Sequence, residues 1–114
     1  MHEMTIVVHV VQTLEDVIEQ QHLTRIGKVT LDVGEVSGII PSFFIECWDL
    51  YKTNFPVLKD AKIVLNHIPA ITYCSSCGRT YNTKEYGKTC PYCKSMETYL
   101  FSGSDCIIKE IEAE

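Results

Sequence analysis

Apolar residues recur three and four positions apart at Val7, Val10, Val11, Leu14, Val17 and Ile18. Glu15, Asp16, Glu19 and Gln20 cover the other side, so the spacing predicts a helix from Ile6 to Gln21 that ends near His22. Its β-branched residues lower intrinsic propensity; the period carries the expectation. Lys28-Val29-Thr30-Leu31-Asp32-Val33 alternates cleanly, as a half-buried strand does. Gly34 and Gly38 then punctuate a turn. Pro41 suits the first turn of a second helix, where a missing N–H is harmless. Phe44, Cys47, Trp48, Tyr51 and Phe55 would form its apolar face, and it should stop before Pro56. A second strand is expected from Ala61 to Ile68, with Ile63 and Leu65 on one face and Pro69 at its end. Strand, helix and strand in this order predict a parallel pair with a right-handed crossover.

The segment from Cys74 to Cys93 breaks the pattern. It is polar, short of aliphatic residues and rich in turn formers. Two strand-like stretches follow, Thr98 to Phe101 and Cys106 to Glu112. The last sets Cys106, Ile107, Ile108 and Ile111 in no strict alternation, which predicts a bulge or burial on both sides. The fold class expected is α+β: a small mixed sheet with two helices over residues 1–70 plus 104–114, and a separate inserted module over residues 71–103.

Apolar residues make up 46% of the 114-residue chain, enough for a real core. No run approaches the roughly 18 apolar residues of a membrane span. The start lacks the basic and apolar regions of a secretory signal, so a cytoplasmic location is expected. Net charge is −5, which argues against a nucleic-acid binder. The charge is uneven, however. Between Cys74 and Lys94, Arg79, Lys84, Lys88 and Lys94 stand against Glu85 alone, a local +3 that leaves −8 elsewhere.

The inserted segment carries the strongest chemical signal. Cys74-Ser-Ser-Cys77 and Cys90-Pro-Tyr-Cys93 are two pairs separated by twelve residues. A two-residue gap lets both sulfurs of a pair reach one ion from a tight turn, and two such loops can be locked together by one tetrahedral ion. Gly78 follows the first pair and Pro91 stiffens the second. Thiolates favour zinc over magnesium or calcium. The rivals are a redox dithiol, two disulfides, or iron held as in a rubredoxin-type site. Four cysteine ligands leave no open position, so a zinc here would be structural and not hydrolytic. Cys47 and Cys106 stand alone in apolar surroundings and read as buried small hydrophobes.

The first residues, Met1-His2-Glu3, offer different chemistry. An α-amino group, the deprotonated amide of His2 and the His2 imidazole can wrap one ion in fused chelate rings. Nitrogen donors in a plane suit Ni(II) or Cu(II). Histidine at position 2 supplies three donors and leaves the fourth place to Glu3, through its amide or its carboxylate, or to another group. An incomplete square suits a protein that hands its metal on. His9, His22 and His67 have ordinary readings: surface, helix C-terminus and strand.

With these residues in view, the start Met1-His2-Glu3, the stretch GEVSGIIP at 34–41 and the two cysteine pairs at 74–93 resemble the hydrogenase maturation nickel metallochaperone family (HypA/HybF) over nearly the whole chain. That resemblance implies a nickel-binding α+β domain with a zinc ribbon. It implies delivery of Ni(II), with a GTPase partner, to the large-subunit precursor of nickel–iron hydrogenase, and in some organisms to urease. His2 matches the family's nickel ligand and Glu3 its neighbour; Cys74, Cys77, Cys90 and Cys93 match its zinc ligands. A second copy of the chain is a further candidate partner. Three positions depart from the pattern: Met4, Ile40, where many relatives carry an acid, and Asp105 in place of a glutamate. No Ser/His/Asp order, Gly-rich phosphate loop or paired buried carboxylates stand out, so the chain reads as a carrier and not an enzyme. The alternative is a zinc-ribbon module for RNA or protein, built on Tyr81, Tyr86 and Tyr92 interleaved with Arg79, Lys84 and Lys88.

Overall fold

The computed structural model describes residues 3–114. Helix α1 spans Glu3–Gln21, strand β1 Ile26–Gly34, helix α2 Pro41–Tyr51 and strand β2 Lys62–Ile68. Strands β3 (Ile71–Cys74) and β4 (Thr80–Asn82), the one-turn helix α3 (Thr83–Tyr86), β5 (Thr98–Ser102) and β6 (Cys106–Ala113) complete the chain. The strands form two sheets, ordered β2-β1-β6 and β4-β3-β5. The expected α+β class is what the chain adopts, with its two main helices where the periodicity put them.

By contacts the chain divides into two compact units. The first comprises the chain up to Asp32 with Gly38–Asn66 and Ile107–Glu114; the second comprises Val33–Ser37 and His67–Cys106.

The first unit has the conventional core. Val7, Val10, Val11 and Leu14 of α1 are buried, as are Phe44, Cys47 and Trp48 of α2, with Ile26, Val29 and Leu31 of β1. The Trp48 indole N–H donates to the carbonyl of Ala61 at 3.1 Å, and Lys52 Nζ donates to the same oxygen at 2.9 Å. That satisfies a polar group the apolar core would otherwise penalise. α2 ends earlier than its apolar face suggests. Lys52–Asn54 form a 3-10 turn, and Phe55, next to Pro56, is extended at φ −129°, ψ 108°. Proline forbids the helical conformation to the residue before it, so Phe55 lies beyond the helix. At the other helix, Leu23 N–H donates to Ile18 O at 3.1 Å across His22, whose φ is +53°. This is a left-handed C-terminal cap with histidine in the place glycine usually takes.

β1 and β6 run antiparallel: Glu114 N–H donates to Arg25 O at one end, and Gly34 N–H donates to Asp105 O at the other. β1 and β2 advance in step, since the Asn66 amide donates to Asp32 and Glu35 N–H to Ile68 O. That is the order of the expected parallel pair. In β6, Cys106, Ile108 and Ile111 are half-buried but Ile107 is exposed. Cys106 and Ile108 share one parity and Ile111 the other, so the strand shows the expected lack of strict alternation. A register shift also falls between β3 and β5, at Ile71/Thr72.

The second unit is the sheet β4-β3-β5 with its loops. β3 pairs antiparallel with β4 and with β5. β5 falls where the strand-like stretch Thr98 to Phe101 is expected. β3 and β4 have no such signal: they are four and three residues long, too short for period-two alternation to register.

Candidate metal centre

Each cysteine pair sits in the same backbone turn. Gly78 N–H donates to Cys74 O at 2.8 Å, and Lys94 N–H donates to Cys90 O at 2.9 Å. Cys74 N–H donates to Arg79 O and Cys90 N–H to Ser95 O, both at 2.9 Å. The fifth residue of each turn is left-handed, Gly78 at φ +74° and Lys94 at φ +65°. The two turns are thus copies of one geometry, and each aims two sulfurs at a common point.

The four sulfurs lie within 4.8 Å of one another. Cys74 Sγ is 3.6 Å from Cys93 Sγ, and Cys77 Sγ is 3.7 Å from Cys90 Sγ. A tetrahedral ion with Zn–S bonds of about 2.3 Å needs sulfurs roughly 3.8 Å apart. The cage therefore fits a tetrahedral thiolate-bound ion, and Cys74, Cys77, Cys90 and Cys93 form a metal-binding cluster. None of the cysteines is in a disulfide.

The cage is also the unit's core. Cys74, Tyr81 and Cys90 are buried together, and the Tyr81 hydroxyl donates to Gly87 O at 2.8 Å. Cys77 and Cys93 are exposed. Arg79 lies 4.8 Å over the Tyr92 ring, a cation–π contact that ties the two cysteine loops together.

Four thiols this close compete for ionisation. Burial resists a charge on Cys90, but the backbone amides of Cys93 and Tyr92, with the thiols of Cys77 and Cys93, bring its pKa down to about 7. Ser95 N–H favours a thiolate at Cys93; burial and the thiols of Cys74, Cys90 and Cys77 outweigh it and push Cys93 up to about 11. Cys77 is raised too: Arg79 N–H works against the rise, and burial with the Cys90 and Cys74 thiols prevails. The shifts run in opposite directions, down at Cys90 and up at Cys77 and Cys93. A bound cation removes that conflict, because it lets several thiolates coexist.

The other predicted site falls at the start of the chain. Met1 and His2 lie outside the described residues. Glu3 opens α1, is 1% exposed, and its Oε2 accepts a hydrogen bond from Ile40 N–H at 2.9 Å. Its carboxylate therefore joins the first turn of α1 to the residue preceding α2. Ile40 itself is 54% exposed. His9, His22 and His67 are all exposed, in keeping with their ordinary readings. Cys47 is buried as expected. Cys106 is only half-buried, with its pKa raised by desolvation.

Two residues of the centre escaped the sequence analysis. From the sequence, Lys94 reads only as charge, and Tyr81 as aromatic cover for the ribbon or a stacking surface, not as part of the buried cage. The signal for Lys94 was present: aligning Cys74–Gly78 with Cys90–Lys94 places it on the turn glycine. Nothing local marks Tyr81, whose burial depends on both cysteine loops closing over it.

Comparison with known proteins agrees with this layout. Residues 1–113 match the family model described as "Hydrogenase/urease nickel incorporation, metallochaperone, hypA". The chain is 32% identical over 114 residues to the hydrogenase maturation factor HypA of Geobacter metallireducens, covering 100% of both chains. It is 29% identical, again over 100% of both, to that of Albidiferax ferrireducens. Its fold is similar to the solution structure of the Ni metallochaperone HypA from Helicobacter pylori, with a TM-score of 0.75 and 21% identity over 99% of this chain and 97% of that one.

Proposed function

This chain belongs to the HypA family of hydrogenase and urease nickel-incorporation metallochaperones, and from that premise we propose that it receives Ni(II) at Met1, His2 and Glu3 and passes it to a nickel enzyme under maturation. The family match beginning at residue 1 carries this reading. An α-amino group with a pKa near ~7.7–8.0 loses its proton readily to a metal at neutral pH. The His2 amide and imidazole complete three donors suited to Ni(II). Glu3 supplies the fourth through its backbone amide, since its carboxylate is engaged at Ile40 N–H. The first turn of a helix does not need its N–H groups for the helix ladder, so the amide can serve. Nickel is cargo, and the chain performs no covalent chemistry on it.

Zinc in the Cys74, Cys77, Cys90 and Cys93 cage is resident. It holds together a ribbon module over residues 71–103, while residues 1–70 plus 104–114 carry the nickel site. Delivery proceeds in the cytoplasm with a nickel-handling GTPase and the precursor of the hydrogenase large subunit; urease is a second recipient class. The RNA-module alternative has little material left: Arg79 is placed over Tyr92 and Tyr81 is buried. In the second unit Arg79, Lys84, Lys88 and Lys94 are balanced by Glu35, Glu85, Glu97 and Asp105, which leaves no basic footprint.

The test is a nickel titration of the zinc-loaded chain beside His2→Ala and a variant with one residue added before Met1. We expect one tight equivalent for the parent chain and a loss of at least tenfold in affinity for both variants. Equal binding by all three would remove the site from the chain's start.

A further inference from the structure

A cleft of about 220 Å³ lies between the C-terminal half of α1 and the segment that follows α2. Its apolar walls are Ile18 on α1 and Phe55, Pro56 and Val57 opposite; Glu15 and Glu19 stand beside Ile18. All six residues belong to the first unit. The far wall is held in place. The Phe55 ring leans on Tyr51, with centroids 5.3 Å apart. Leu58 N–H donates to Phe55 O at 2.9 Å and Lys59 N–H to Pro56 O at 3.2 Å, while the Leu58 side chain is fully buried beneath.

Charge around the cleft is one-sided. No cation lines it. Glu15 and Glu19 are exposed, and neither forms an ion pair among the described residues. Both placements work against the helix. Like charges four residues apart repel, and Glu19 stands in a last turn that holds no basic residue, where the helix dipole disfavours an anion. The second unit's cations and acids cancel, so the first unit carries the whole net charge of −5. Solubility would be served by acids anywhere on α1, yet these two flank an apolar recess.

We propose that this cleft docks a basic amphipathic helix of another protein. One large apolar side chain of that helix enters between Ile18 and Val57, and two lysines or arginines four residues apart face Glu15 and Glu19. A helix presents such an anchor and both cations on one face. Cations at this spacing stand about 6 Å apart along its axis, as the two glutamates do along α1. A nucleic acid or an anionic membrane would be repelled. The cleft lies roughly 18–24 Å along α1 from Glu3, so a docked helix leaves the chain's start free. The inference rests on the first unit alone and does not depend on the nickel reading.

The probe is an acetylated, fluorescein-labelled alanine-based helix with Lys-Ala-Ala-Leu-Lys at its centre, titrated with the full zinc-loaded chain and followed by anisotropy. We expect saturable binding with a Kd of the order of 100 μM. Replacing the peptide's leucine by alanine, or its lysines by glutamates, should weaken binding roughly tenfold or more. On the chain, Glu15→Gln/Glu19→Gln should weaken it by roughly fivefold and remove most of its salt dependence. Val57→Lys, which sets a cation in the wall, should cost roughly tenfold. Glu46→Gln/Glu110→Gln removes the same charge from exposed positions elsewhere in the first unit and should leave binding unchanged. Emission of Trp48, buried in the same unit, establishes that each variant is folded; the peptide variants make the same test with the chain untouched. The proposal is overturned by a parent chain that fails to saturate by roughly 1 mM. It is equally overturned by a peptide that binds as well without its leucine or with glutamates for lysines, by undiminished binding to Glu15→Gln/Glu19→Gln, or by an equal loss in Glu46→Gln/Glu110→Gln.

Discussion

Lys94 holds a conformation its side chain resists. A left-handed residue other than glycine costs roughly 1–2 kcal/mol, and Lys94 at φ +65° incurs it where Gly78 at φ +74° does not. Replacing it with glycine removes that cost but adds about 0.5–1 kcal/mol of chain entropy. The net for Lys94→Gly is stabilisation by about 0.5–1 kcal/mol. The mirror substitution, Gly78→Ala, finds its nearest neighbour, Tyr73 Oη, 3.8 Å away, so the backbone penalty of roughly 1–2 kcal/mol, less the about 0.5–1 kcal/mol of chain entropy recovered, leaves a loss of about 0.5–1 kcal/mol. Thermal unfolding of the zinc-loaded proteins should order them Lys94→Gly, parent, Gly78→Ala. The reverse order would mean the two cysteine turns are not equivalent. At this scale the sequence was legible wherever chemistry depends on residue type and spacing, as for the four sulfurs. It was mute where burial depends on distant chain. Nothing near Glu3 says that its carboxylate meets Ile40 N–H thirty-seven residues on.

Among the elements, the tightest crossing joins β1, the segment after β2 and the turn before β6. A Cβ on Gly34 would come within 2.0 Å of Gly103 O, and a Cβ on Gly103 within 2.5 Å of Ala70 Cα. Both neighbours are backbone, so neither can swing aside. Val36 N–H donates to Gly103 O and Ala70 N–H to the Glu35 carboxylate, both at 2.9 Å, which fixes the segments further. We expect Gly34→Ala and Gly103→Ala each to cost more than about 3 kcal/mol, a large part of the 5–15 kcal/mol typical of a domain. Urea unfolding measures this, and a loss below about 1 kcal/mol would show that the crossing can relax. The sequence revealed α1, β1, α2 and β2 because each is long enough to show a period. It concealed β3, β4 and α3, which are three or four residues long and owe their form to the cysteine cage and not to alternation. Gly34 read as turn punctuation, yet what demands glycine there is close approach.

For the whole molecule, the two units depend on different physics. The first buries aliphatic and aromatic side chains; in the second, two of the three residues of its buried cluster are metal-site cysteines. Removing the metal should therefore unfold one unit and spare the other. The chain supplies separate reporters. Its single tryptophan, Trp48, is fully buried in the first unit, while Tyr73, Tyr81, Tyr86, Tyr92 and Tyr99 lie in the second and Tyr51 alone in the first. A chelator at neutral pH should abolish near-ultraviolet tyrosine dichroism and expose four additional thiols, with Trp48 emission unchanged. The pH dependence has a definite sign. Cys93, with a pKa near 11, and Cys77, raised from its ordinary value, keep their protons at pH 7 without metal. Binding must expel at least these two, so zinc uptake in weak buffer should acidify the solution and affinity should fall as pH falls. Cys90, at about 7, adds a further proton to displace only below neutrality, so the decline should steepen between pH 7 and 5. If Trp48 emission shifts together with the tyrosine signal, the units fold as one, and the cysteine cage supports the first unit as well as its own.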